Sequence, residues 1–190
     1  MSTSIEPARH PRAHVAYHEA GHAVIAHVLG FEVRRVTIVP DDKSRGRMVW
    51  NKPPANLKKT DADLTPSQRQ RIENLIMVAL AGPLTMRHHN PRSHWKKSGT
   101  GYGPFMGKGT DFQVAAKLID ILYQNEAVAS AYWRFTRVRA ESLVKERWAW
   151  IDCVARHLLE HKTFDGDIRT LNPRARELDA VLKVALWPSA

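Results

Sequence analysis

The stretch Ala16-Tyr17-His18-Glu19-Ala20-Gly21-His22-Ala23-Val24 decides how the rest of the chain is read. It holds the pattern His-Glu-x-x-His in a segment that reads as helix. The apolar Ile25, Ala26, Val28 and Leu29 follow, and then Gly30, where a helix stops. Residues four apart on a helix stand one above the other on the same face. His18 and His22 can therefore aim two imidazole nitrogens at one point about 2 Å from each, the bond length zinc takes. Glu19 leaves the helix about 100° round from His18, beside such an ion, where it can take a proton from a water. The competing reading is a solvated His-rich face, since His14 and His27 share the helix. Against it, the apolar run argues for a buried helix, in which imidazole and carboxylate groups need partners.

The chain of 190 residues is long enough for one core, and its 43% apolar content with six Trp describes a folded globule. The single cysteine, Cys153, excludes an internal disulfide framework and fits a reducing compartment. Met1 to Arg12 carries Arg9 and Arg12 but no apolar core of a signal peptide, and no uninterrupted apolar run reaches about 18 residues. The expectation is a soluble, cytoplasmic protein with no membrane span. The net charge of +10 is spread over Arg34-Arg35, Lys58-Lys59, Arg87 to Lys97 and Arg134-Arg137-Arg139. With no dominant basic tail, it reads as a solvated surface and not as a nucleic-acid interface.

Taken in order, the motif helix runs from near Ala13 to Gly30. Glu32 to Val39 is β-branched and strand-like, and Arg47 to Asn51 can pair back on it. Lys52 to Asp63 reads as loop. Thr65-Pro66-Ser67-Gln68 opens a helix with a capping box and a proline at the first position, and Gly82-Pro83 is expected to end its regular pattern. His88 to Gly109 reads as a long loop. Thr110-Asp111-Phe112-Gln113 is a second capping box, followed by helices over Ala127 to Trp148 and Ala149 to His161. Asn172-Pro173 then opens a last amphipathic helix. The fold class is mainly α (α+β), with a small β-sheet or hairpin beside the motif helix.

Other motifs fall away on spacing. Gly101 and Gly107 are one residue too far apart for a phosphate-binding loop, and Gly109 stands where its Ser or Thr would be. His157-Leu158-Leu159-Glu160-His161 matches the inverted zinc motif, but only 29 residues follow it and its leucines read as core contacts. The extended form of His-Glu-x-x-His wants Gly and His where Ile25 and Val28 stand. A catalytic zinc takes three protein ligands, so a third must come from further along. By chemistry the candidates are Glu73, His88, His89, His94, Asp111 and Asp120; Asp111 would have a rigid mount in the first turn of a helix.

Tyr17 to Val24, Val36-Thr37-Ile38-Val39-Pro40 and Ala79-Leu80-Ala81-Gly82 together resemble the peptidase domain of FtsH-type ATP-dependent zinc proteases. Gly109-Thr110-Asp111-Phe112 with Ala115 resembles the segment that supplies that family's third ligand. Ile151 to Leu171 resembles its terminal helices. The resemblance covers roughly His14 to Leu171 and implies a zincin-like helical peptidase domain over residues 13–172. Residues 1–12 then form an amino-terminal extension, and residues 173–190 a carboxyl-terminal amphipathic helix. It implies Zn2+ held by His18, His22 and Asp111, with Glu19 as general base. Three features depart from the family: Pro83-Leu84-Thr85-Met86 replaces Arg-x-Ala-Glu, Ala116 replaces Thr, and the loop before Asp111 is unlike.

The function expected is zinc-dependent hydrolysis of peptide bonds in unfolded or flexible protein segments, by a chain without its own ATPase. Its partners would be a protein or peptide substrate and, in one version, a separate AAA+ ATPase. The alternative is a non-catalytic binding module or accessory subunit that works through its basic surface.

Overall fold

The computed structural model describes residues 12–41, 46–50, 64–91 and 111–174. Among them run α1 (Ala13–Val28), β1 (Val33–Thr37), β2 (Arg47–Trp50), α2 (Pro66–His89), α3 (Asp111–Leu122), α4 (Glu126–Glu146), α5 (Trp148–His161) and β3 (Thr163–Asp165). A short 3-10 turn, Ile168–Leu171, follows β3. The fold is mainly helical with one small sheet, as the sequence leads one to expect. No helix among the described residues is long and apolar enough to cross a membrane.

Helix α1 is the centre. Ala16, Tyr17, Ala20, Ala23, Val24, Ile25 and Ala26 are buried, so nearly every face of the helix meets protein. It packs against α2, α5 and the sheet. Its end is the glycine stop read in the sequence. Phe31 N–H donates to Ala26 O (2.9 Å) and Gly30 N–H to His27 O (3.0 Å), with Gly30 at φ +84°. Those two bonds satisfy carbonyls the helix leaves open, and the left-handed residue between them is glycine because it carries no Cβ to clash.

Helix α2 starts on its capping box. Thr65 Oγ1 accepts from Gln68 N–H (3.3 Å), and Gln68 Oε1 accepts from Thr65 N–H (2.9 Å). It does not stop at Gly82-Pro83; it runs on to His89, with Pro83 inside. Proline costs the helix one backbone bond, but Leu80, Ala81, Leu84 and Thr85 on both sides of it are buried. Gly21 of α1 lies so close to Thr85 and the Ala81 carbonyl that an added Cβ would fall 2.3 Å from Thr85 Oγ1. Tertiary packing holds the chain helical past the break. His88 and His89 therefore belong to α2 and not to a loop.

The sheet has the order β2-β1-β3, antiparallel throughout. Val36 of β1 sits opposite Met48 on one side and Phe164 on the other. β1 and β2 fall inside the two runs read as strands, whereas β3 is too short to show in the sequence. The break between α4 and α5 falls at Arg147, just before the Trp148–Ala149 boundary read in the sequence, and Asn125 caps α4 by accepting from Val128 N–H (3.1 Å). The loops 52–63 and 92–110, the Thr110 cap, and the helix expected after Pro173 lie outside the described residues.

Candidate functional site

His18 and His22 stand one turn apart in the middle of α1, and α2 lies across them. Gly82 makes this possible: an added Cβ there would sit 2.3 Å from His22 Nε2. The far nitrogen of each ring is held by α2. His22 Nδ1 lies 2.7 Å from Val78 O and His18 Nδ1 3.1 Å from Met86 Sδ. A carbonyl oxygen and a thioether sulfur can only accept, so both Nδ1 atoms carry the proton and both Nε2 atoms present lone pairs.

Those lone pairs converge. The two Nε2 atoms are 3.0 Å apart, and Asp111 Oδ2 lies 3.1 Å from that of His18 and 3.5 Å from that of His22. Asp111 is the first residue of α3, so its carboxylate projects from the start of a rigid element. Two imidazole lone pairs and a carboxylate facing one another repel unless a cation lies between them. A tetrahedral ion with bonds of about 2.0 Å would space its ligands by roughly 3.3 Å, the average scale of this triangle. The residues present therefore fit a zinc ion in both donor chemistry and spacing.

The electrostatics carry the same message. Burial works to lower the basicity of His22, but the Asp111 carboxylate outweighs it and the ring is held above its ordinary pKa. Burial also dominates at His18, with His22 adding repulsion, and that ring is pushed down. Asp111 is pushed up by burial, yet its contacts with the two imidazoles more than compensate and hold it well below the carboxylate range. The Asp111 carboxylate thus favours a positive charge on His22 beside it.

Glu19 is buried, 8% exposed, beside these groups. Burial raises its carboxyl to about 7, with His22 opposing and Asp111 adding to the rise. Gly46, just before β2, lies against it: a Cβ there would come 2.9 Å from Glu19 Cγ and 3.0 Å from Oε1. One edge strand of the sheet, β2, therefore begins beside the carboxylate.

The other candidates for a third ligand are elsewhere. His89 stacks on Tyr17 with ring centres 3.7 Å apart, and His88 lies edge-on to Trp148 at 4.4 Å. Glu73 pairs with Arg69 at 3.6 Å, and Asp120 lies on α3 outside the triangle. His94 falls outside the described residues. Among the described residues, His18, His22 and Asp111 form the one group of three or more His, Cys, Asp or Glu whose ligand atoms lie within 4.8 Å of one another. The inverted motif brings no such group together: Glu160 and His161 are exposed and 3.7 Å apart. Sequence reading missed the roles of Val78, Gly82, Met86 and Gly46. The four-residue spacing of Val78, Gly82 and Met86, one stripe of a helix, is the signal that was there to be used.

Comparison with models of protein families matches residues 6–87 to Peptidase family M41. The match takes in α1, the first two strands and most of α2, with His18, Glu19 and His22; Asp111 lies beyond it. Curated proteins yield no match.

Proposed function

We propose, taking as premise the FtsH-type peptidase family that the match over residues 6–87 supports, that this chain is a zinc-dependent metallopeptidase. Its substrates would be unfolded or flexible protein segments. His18, His22 and Asp111 would hold the ion, leaving the fourth position of a catalytic site open. When bound, zinc supplies the charge that makes a water acidic near neutral pH and polarises a peptide carbonyl. The rest is done by this chain. Val78 O and Met86 Sδ keep both Nδ1 protons in place, so both Nε2 atoms stay available. Glu19, with a carboxyl that burial brings near 7 and a nearby cation would lower, takes the proton of the attacking water and returns it to the leaving amine.

Substrate shape follows from β2. It is one of the two outer strands of the sheet among the described residues, and Gly46, just before it, lies against Glu19. An outer strand pairs with an extended backbone and not with a folded one. A segment laid along β2 would bring a peptide bond to the carboxylate, which supports unfolded chain as the substrate class. The observation that carries the reading is the triangle of Nε2, Nε2 and Oδ2 with Glu19 beside it. Zymography on unfolded casein tests it. The zinc-loaded protein is expected to cleave, and Glu19→Gln to retain zinc while losing about 10²–10⁴-fold in rate. Equal rates in both would discredit Glu19 as the base.

A further inference from the structure

Imidazoles that bind a metal ordinarily give their second N–H to a carboxylate, a carbonyl or a water, which orients the ring and raises its basicity. His22 follows that rule through Val78 O at 2.7 Å. His18 does not: its Nδ1 faces Met86 Sδ at 3.1 Å, and a thioether is a weak acceptor. Both supports come from one stripe of α2, where Val78, Gly82 and Met86 are spaced by four. Val78 holds one ring, Gly82 leaves room for the same ring's Nε2, and Met86 holds the other. Met86 is half-buried, so water competes only partly for the His18 N–H.

We propose that Met86 is the positioning residue for His18, and that its thioether keeps the zinc affinity of this centre below what an oxygen acceptor at the same place would give. The two histidine ligands are then unequal, with His22 the firmly held one and His18 the weak one. Residue 86 is the point at which this chain sets how readily it gains and loses its metal. The inference rests on the zinc reading above.

The test measures the affinity of the full chain for Zn2+ by competition with a chromophoric chelator, for wild type, Met86→Leu, Met86→Gln and Met86→Glu. Glutamine and glutamate reach as far as methionine and offer oxygen. Both are expected to tighten zinc binding, glutamate by about 10- to 100-fold, and leucine to loosen it. Thermal melting of the metal-free proteins identifies any variant that does not fold; the neutral Met86→Gln keeps the comparison available if Met86→Glu is such a one. Nitrogen-15 NMR adds a local readout: the His18 Nδ1–H signal is expected to move in Met86→Gln while that of His22 stays. Zinc bound with the same affinity by all four proteins overturns the role of Met86 and leaves the zinc centre standing. Zinc bound by none of them overturns the zinc reading, and this inference with it.

Discussion

His22 and His27 stand five residues apart on the same helix, and their surroundings have little in common. Around His22 are the Val78 carbonyl, the Asp111 carboxylate and the bare backbone of Gly82, all close enough to fix the ring. His27 lies edge-on to Trp150 with ring centres 5.4 Å apart, and lines a groove together with Arg34, Asp167 and Arg169. Burial lowers the basicity of His27, whereas the carboxylate raises that of His22. A histidine on α1 thus becomes a candidate ligand only where a second helix supplies an acceptor behind it and a third supplies a carboxylate in front. The His-Glu-x-x-His spacing is necessary for that, but the opposing helices complete it.

The sharpest way to break this contrast is Gly82→Ala. The added methyl would push the end of the His22 side chain off its place against Val78 O, and the protein is expected to fold and to bind zinc more weakly by on the order of 100-fold. Chelator competition reads the affinity. Thermal melting reads the linkage: zinc at 100 times its Kd would stabilise the wild type by about 2.7 kcal/mol, and the variant is expected to lose most of that. Gly21→Ala strikes the same helix pair where nothing can swing aside. Its Cβ would meet Thr85 Cβ at 2.7 Å and the Ala81 carbonyl at 3.0 Å. Overpacking of this kind costs about 1–3 kcal/mol, to be read by denaturant unfolding of the metal-free protein.

At the other end of α1, His27→Ala is expected to leave zinc affinity unchanged and to cost under about 1.5 kcal/mol from its ring contact. A marked loss of zinc there would erase the distinction between the two histidines. The smallest effect is expected at Glu141, which joins α4 to α2 through Arg87 at 2.7 Å. Burial opposes ionisation of Glu141, but Arg87 and Lys145 outweigh it and depress the carboxyl below its ordinary pKa. A carboxyl depressed on folding contributes stability that is present above its unfolded pKa and is lost as pH falls through the folded one. The pair is about a third exposed and screened by solvent, so Glu141→Gln is expected to cost under about 1 kcal/mol at pH 7. That difference should vanish in acid, as pH-dependent urea unfolding would show.

Much of the frame could be read from residues alone, because local chemistry settles it. The Thr65 box and the Gly30 stop are built from side chains and torsions within a few positions of one another. What could not be read depends on distant contacts. Pro83 looks like a stop until Gly21 is seen packed against Thr85 and Ala81. β3 is three residues long and exists by pairing with β1. At the site, the two imidazoles were legible from their spacing, whereas Asp111 stood among six candidates on chemistry alone. Val78 and Met86 support rings that are 56 and 68 residues away in sequence. A carbonyl and a thioether belong to no ligand motif, and the four-residue spacing of Val78, Gly82 and Met86 on α2 is the one trace they leave.

The central claim, that α1 and α3 jointly hold a metal, is tested most directly by the zinc content of purified protein, wild type against Asp111→Ala. One zinc per chain in the wild type, and none retained by the variant after dialysis against a mild chelator, is the expected result. Equal zinc in the two proteins, or none in a folded wild type supplied with zinc, would contradict it.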